Sequence, residues 1–286
     1  MIKAVLQFRD GLPSGRIFLR SVVKNAQRGL VEGGHELTTD GKYGSGTRTA
    51  VKAFQAARGL EPNGIVERAT WKRLDPHLQA VVGPREAEIA GLLQKFRGDL
   101  GWVHQQESHA GKPYWPGSVS GVTLDPGVDL GHVSSWDFIE EQYGPLVTQS
   151  QLAELRKVFG FKGMDARVAL GASPILQSVR ITREQAVELM PHTARPYWEG
   201  ITSRFRAVAR VDTPASVQTT LLSLAYNRGS QNRHLEPLGE LLQDRRWGEA
   251  ADTIGSRQQN HELPGIRRRR RREAAVIRAE LDFLAS

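Results

Sequence analysis

Cysteine is missing from all 286 residues, so disulfides, cysteine-ligated zinc and thiolate nucleophiles are excluded together, and with them every cysteine peptidase. The absence does not choose a compartment, because a chain without thiols works in either redox state. Long apolar runs are missing too: no stretch approaches the ~18 uninterrupted apolar residues of a membrane span. Residues 1–8 are mildly apolar, but Arg9 and Asp10 follow at once, with neither the apolar h-region nor the small-residue cleavage site of a signal peptide. The expectation is a protein kept in the cytoplasm until something else releases it. Histidine is sparse and scattered, with eight in all. His35-Glu36 and His261-Glu262 each lack a second histidine four residues on, and His132 with Asp137 is too little to build a zinc site. No metal and no cofactor is expected. Acidic residues are outnumbered, 31 against 39 basic ones, which leaves a net charge of +8 and a pI near 10.0. Such a chain is drawn to polyanions, whether nucleic acid, anionic lipid or acidic envelope polymers, and charge alone does not choose among them.

What is present is an ordinary globular composition, 39% hydrophobic and 24% charged, on a length that suits two domains. The first 75 residues hold short helical patterns punctuated by glycine. Val22, Val23, Ala26 and Leu30 recur at helix spacing and stop at Gly33-Gly34. After the turn Asp40-Gly41-Lys42-Tyr43-Gly44, Thr47 is positioned to cap a helix carrying Val51, Phe54 and Gln55, which ends at Gly59. Asn63-Gly64 marks another turn, and Thr70, Trp71 and Leu74 open a last short helix. Residues 76–84, with Pro76, Gly83 and Pro84, have no sustained period and are expected as a linker. The domain expectation is therefore 1–75, a linker at 76–84, and 85–286.

From Arg85 a new stripe of Ile89, Leu92, Leu93, Phe96, Leu100 and Val103 predicts a single helix reaching to about Glu107. Five glycines and three prolines within residues 111–131 then predict an irregular loop and a small β-hairpin. Helices resume afterwards. Leu152, Leu155 and Val158 mark one, Thr182-Arg183-Glu184-Gln185 resembles a capping box, residues 217–225 read as a buried central helix, and Ala274, Ile277, Leu281 and Leu284 lie on a last one. The fold class expected is mainly α with a small β-hairpin lobe, joined to a small three-helix front domain.

Glu107 at the end of a helix, facing Thr123 and Asp129 on the hairpin, offers what glycosidic hydrolysis needs: an acid for the leaving oxygen and a second polar group to place water on the other face of the sugar. On composition and spacing alone, a solvated loop acid is an equal reading of Glu107. Ser120-Gly121-Val122-Thr123 followed by Gly127-Val128-Asp129-Leu130-Gly131 resembles the catalytic hairpin of lysozyme-like muramidases related to pesticin and the phage-type lysozymes. The resemblance implies Glu107 as general acid, Asp129 as base or water-positioner, and Thr123 as its partner on the water. Where that family has a Gly-rich tip, this chain has Asp125-Pro126-Gly127, so Asp125 is a rival carboxylate whose plainer reading is a turn residue before proline. Residues 221–229 resemble the buried helix and following turn of the same lysozymes, so Tyr226, Asn227 and Arg228 either line the cleft or cap a core helix.

The arginine run at residues 267–272 could be taken for a nucleic-acid patch. Leu263-Pro264-Gly265-Ile266, the arginines and Glu273 instead resemble the opening of a late helix in phage lysozymes, where successive arginines point in all directions. No nucleic acid is expected as a partner, though anionic envelope polymers or lipid could meet some of these side chains. In the front domain, residues 40–55 and 59–74 resemble the type 1 peptidoglycan-binding fold, which implies bacterial peptidoglycan as partner. The reading reached is an endolysin-type muramidase: a monomer without metal or cofactor, released to the wall from the host cytoplasm through a holin. The rivals are a lytic transglycosylase, which places no water, a zinc peptidase or amidase, which lacks its ligands, and a non-catalytic wall binder.

Overall fold

The glycine-punctuated front of the chain winds into α1 (Arg20–Glu32), α2 (Ser45–Ala57) and α3 (Arg68–Leu92) in the computed structural model, which describes residues 1–107, 109–262 and 264–286. The apolar stripe of α1 does what its spacing predicts, with Val22, Val23, Ala26 and Leu30 fully buried. Two buried glutamines hold the turns between these helices. Gln27 Nε2 reaches Asp40 Oδ1 at 3.0 Å, the Lys42 carbonyl at 3.2 Å and Thr47 Oγ1 at 3.0 Å, while the Gly41 N–H donates to Gln27 Oε1 at 2.7 Å. Gln55 repeats the arrangement on Asn63 Oδ1 (3.0 Å), the Ile65 carbonyl (2.8 Å) and Thr70 Oγ1 (3.1 Å), with the Gly64 N–H donating to its Oε1 at 2.9 Å. Gly41 and Gly64 both have positive φ, 74° and 73°, as this turn requires. Thr47 therefore does not cap α2. Gly44 occupies that position in extended conformation, and the Thr47 hydroxyl is already committed to Gln27 and the Lys42 carbonyl.

Residues 76–84, expected as a linker, are wound into α3. Trp71, Leu74 and Leu78 recur at helical spacing and are all at most 1% exposed. That burial outweighs the ~3 kcal/mol that a proline costs inside a helix. The single helix expected from Arg85 to Glu107 is instead broken. α3 stops at Leu92, Lys95 turns to φ 62°, and a Cβ on Gly98 would lie 2.6 Å from Thr219 Oγ1. The chain restarts as α4 (Leu100–Gln106), where Asp99 Oδ1 accepts the Trp102 N–H at 2.8 Å as an N-cap does.

The chain divides into two units, residues 1–106 with 194–286, and residues 107–193. The second unit contains a hairpin of β1 (Thr123–Leu124) and β2 (Val128–Asp129), then α5 (Trp136–Tyr143), α6 (Gln149–Lys157), α7 (Gly163–Ala172), α8 (Pro174–Ser178) and the first half of α9 (Arg183–Arg204). Its core joins Val122, Leu124, Val128 and Leu130 of the hairpin region to Trp136, Ile139, Tyr143 and Leu155. The capping box before α9 is formed, with the Thr182 N–H on Gln185 Oε1 at 2.8 Å and the Gln185 N–H on Thr182 Oγ1 at 3.2 Å.

The first unit is completed by α10 (Ala215–Arg228), α11 (Leu238–Gln243), α12 (Trp247–Ser256) and α13 (Pro264–Ala285). Leu263, part of the motif ahead of α13, lies outside the described residues. The front segment shares one core with these later elements, because Trp102, Ala215, Val276 and Phe283 pack into the same cluster as Val22, Phe54 and Trp71. Trp102 Nε1 also donates to the Phe18 carbonyl at 2.8 Å. The fold is thus mainly α with one small antiparallel hairpin, and no described helix is long and apolar enough to cross a membrane.

The glutamine brackets yield a direct test. Gln55→Ala strands the Gly64 N–H and the Ile65 carbonyl, so we expect urea unfolding to report a loss of at least about 2 kcal/mol. Exposed Gln79→Ala should stay within about 0.5 kcal/mol of the parent. Equal effects of the two would mean that the bracket is not what holds the turn.

Candidate active site

The hairpin pairs Thr123 with Asp129 and Leu124 with Val128. Because strand side chains alternate, Leu124 and Val128 enter the core of the unit, while Thr123 and Asp129 share the other face. The Asp129 carboxylate is held at one end. Its Oδ1 accepts the Gly121 N–H at 2.8 Å and the Gly131 N–H at 2.9 Å, which ties together the two chains leaving the hairpin. Glycine is needed at both places. A Cβ on Gly121 would meet the Gly131 nitrogen at 2.3 Å, and one on Gly131 would meet the Phe161 carbonyl oxygen at 2.6 Å. Asp129 Oδ2 lies 4.0 Å from His132 Nε2, and the side chain is 22% exposed, so the carboxylate is anchored through Oδ1 yet partly open to solvent. Thr123 is buried, with its hydroxyl 3.4 Å from the Gly121 carbonyl.

The rival carboxylate has another occupation. Asp125 is 2% exposed, its Oδ2 accepts the Gly111 N–H at 2.6 Å and lies 3.0 Å from His109 Nδ1, and its carbonyl accepts the Tyr143 hydroxyl at 2.8 Å. It fastens residues 109–111, just past Glu107, to the hairpin tip.

Tyr114 feels the charge of all three acids. Its backbone extends the hairpin, donating to the Thr123 carbonyl at 3.0 Å and accepting the Thr123 N–H at 2.7 Å. Burial pushes its phenol above the ordinary tyrosine range, and the negative charges of Asp125, Glu107 and Asp129 push it further. Glu107 follows α4 directly and is half-buried. Tyr114 therefore links Glu107, Thr123 and Asp129: its backbone pairs with Thr123 and its phenol feels both Glu107 and Asp129. Sequence reasoning missed Tyr114 and His109. The available signal was an aromatic and an imidazole within seven residues of Glu107.

Tyr226, Asn227 and Arg228 belong to the other unit, at the C-terminal end of α10. The Tyr226 ring packs on Tyr197 with centroids 4.9 Å apart, Asn227 Oδ1 accepts from Arg270 Nη2 at 2.9 Å, and Arg228 Nη2 lies 3.3 Å from His261 Nε2. Asn227 is thus engaged within its own unit. Among the described residues no cluster of three or more histidine, aspartate or glutamate side chains is arranged to hold a metal ion.

Comparison with known proteins bears on both ends of the chain. The family model of a peptidoglycan binding domain matches residues 20–74, and that of phage lysozyme matches residues 161–273. The second match begins beyond the hairpin and does not include Glu107, Thr123 or Asp129. No curated protein matches the chain. The crystal structure of Burkholderia AP3 phage endolysin aligns with 97% of this chain and 99% of its own at 19% identity, with a TM-score of 0.22, too loose a superposition to carry an argument.

The field at Tyr114 can be measured. A carboxylate nearby disfavours the phenolate, so Asp129→Asn should lower the Tyr114 pKa relative to the parent, read by NMR titration of ring-labelled tyrosine. An unmoved midpoint would separate Asp129 from this cluster.

Proposed function

We infer that this chain, which joins a peptidoglycan binding domain to a phage lysozyme domain in the modular order of an endolysin, hydrolyses the β-1,4 bond between N-acetylmuramic acid and N-acetylglucosamine. Cell-wall glycan as substrate class follows from the two domains. The choice of bond and mechanism rests on one observation: Asp129 has one oxygen anchored by two backbone N–H groups while its side chain stays partly open to solvent, and both it and Glu107 act on Tyr114. In this reading Glu107 donates its proton to the glycosidic oxygen as the bond from C1 breaks. Asp129 Oδ2 takes a proton from the water whose oxygen bonds to C1 from the opposite face. One proton leaves Glu107 and one arrives at Asp129, and the configuration at C1 inverts. Thr123, in register with Asp129, supports the water-side face of the hairpin, while Asp125 is a scaffold residue. No metal or cofactor enters.

The front segment raises local substrate concentration by holding the wall. Since it shares a core with α4, α10 and α13, it does so as part of one body rather than on a flexible tether. Tyr226 and Arg228 remain proposed glycan contacts. The enzyme acts after release from the host cytoplasm through a holin, and lysis follows from loss of wall integrity.

Mass spectrometry of products from purified peptidoglycan tests the reaction. We expect saccharides with reducing N-acetylmuramic acid ends, and a drop of at least about a hundredfold in both Glu107→Gln and Asp129→Asn. Anhydro-muramic ends would make it a transglycosylase, and intact glycan would leave only a wall binder. The net charge of +8 carries a separate expectation, that wall lysis slows as salt rises through the range that screens surface charge. Lysis indifferent to salt would remove electrostatic approach from the account.

A further inference from the structure

α7 is an apolar helix that turns its apolar side outward. Asp165 and Arg167 are the only polar side chains among its ten residues. A helix of that make-up is ordinarily buried. Here Ala166 alone is buried, while Met164 is 57% and Val168 64% exposed. At about 100° per residue, Met164, Val168, Gly171 and Ala172 form one stripe on the side opposite Ala166, and all four are exposed. Segments bonded to the helix continue the stripe at both ends. Ahead of it stand exposed Phe161 and Val119, the latter next to Ser120, whose carbonyl accepts the Gly163 N–H at 2.9 Å. Behind it stands exposed Ile175 in α8, where Gln177 Nε2 donates to the Gly171 carbonyl at 3.0 Å. Large apolar side chains gathered in one strap differ from the single exposures that are normal on a surface.

The strap is also basic. Residues 156–168 carry Arg156, Lys157, Lys162 and Arg167 against Asp165 alone, and all four cations are exposed. Lys157 pairs with Glu154 at the end of α6. The other three have no carboxylate partner among the described residues. Arg156 and Arg167 lie over the rings of Trp136 and Trp115, 5.1 and 5.6 Å from their centroids, and Lys162 immediately precedes α7. Arg167 borders the stripe, one residue from Val168. Asp165 stands in the first turn, where the positive end of a helix favours an acid.

We propose that this strap docks on an anionic lipid surface, with Phe161, Met164, Val168 and Ile175 entering the headgroup boundary and Lys162 and Arg167 meeting the lipid phosphates. Exposed apolar side chains bordered by unpaired cations match a surface that is apolar within and negative at its rim, which is what an anionic bilayer presents. The alternatives fit less well. A glycan would set hydroxyl groups against the apolar stripe, and a second copy of the chain on a two-fold axis would bring the same cations into the same contact. The inference stands apart from the reaction proposed above and does not depend on it.

Flotation of the full chain with vesicles tests the proposal, using phosphatidylglycerol mixed with phosphatidylcholine against phosphatidylcholine alone. We expect binding to the anionic vesicles that is at least about tenfold weaker in Val168→Asp and about fivefold weaker in Lys162→Gln, and weak binding to the neutral ones. Circular dichroism and hydrolysis of purified, lipid-free peptidoglycan should be unchanged in both variants, because neither side chain belongs to the hairpin site. Should Val168→Asp fail to fold, Met164→Gln combined with Lys162→Gln decides by the same readout. A parent chain that does not float with anionic vesicles, or flotation that survives in Val168→Asp, would overturn the proposal. Lipid-free hydrolysis that falls in Val168→Asp while flotation is unmoved would assign the strap to glycan instead. A parent dimer in analytical ultracentrifugation that Val168→Asp dissociates, with no flotation in either, would assign it to a second copy.

Discussion

Asp129 has to meet two demands with one carboxylate. It closes the base of a hairpin of only two residues per strand, and it stays partly open to solvent. A two-stranded ribbon this short has little stability of its own. The pair of N–H bonds from Gly121 and Gly131 to a single oxygen supplies a charge-assisted closure where a longer ladder would otherwise be needed. Everything else about the hairpin follows from it. The glycines are required because their backbones approach too closely for a side chain. Leu124 and Val128 face the hydrophobic core because Thr123 and Asp129 take the opposite face of the ribbon. Asp125, one turn away, cannot replace Asp129, since its carboxylate is spent inside the fold on Gly111 and His109.

The front segment solves a similar problem twice with the same parts. Its turns are too rich in glycine to hold themselves, and each is bracketed by a buried glutamine that gathers an Asx side chain, a glycine N–H, a carbonyl and a threonine hydroxyl. The repeat is written in the sequence. Val23-Lys24-Asn25-Ala26-Gln27 parallels Val51-Lys52-Ala53-Phe54-Gln55, and Asp40-Gly41 with Thr47 parallels Asn63-Gly64 with Thr70. Reading each glycine as a local turn hid it, because the physical link runs through a side chain on another helix.

What was legible and what was not divide along the same line. Features decided by neighbours in sequence could be read: the α1 stripe, the hairpin with Thr123 opposite Asp129, the capping box before α9 and the buried α10. Features decided at a distance could not. Pro76 and Pro84 signalled a break, yet the burial of Leu78 against the front core carried the helix through. The stripe from Ile89 to Val103 signalled continuity, yet Gly98 must pass close to Thr219, more than a hundred residues on, and the helix breaks there. The fastening of residues 109–111 by Asp125 is of the same kind, and no local pattern announces it.

The arginine run at residues 267–272 shows how misleading a compositional signal is until burial is known. A helix turns about 100° per residue, so consecutive arginines cannot share a face. Arg268 and Arg271 are exposed, whereas Arg269 and Arg270 are buried with Glu273 between them. An unpaired charge at such depth would cost several kcal/mol, so these two arginines are tolerable only because Glu273, Ser223, Asn227 and backbone carbonyls take up their donors. One of those carbonyls is that of Gln106, which Arg269 Nη1 meets at 3.3 Å. Gln106 ends α4, where helix carbonyls have no partner within the helix. A stretch that reads as a surface for polyanions is therefore, at its centre, the device that satisfies the last turn of the helix leading to Glu107.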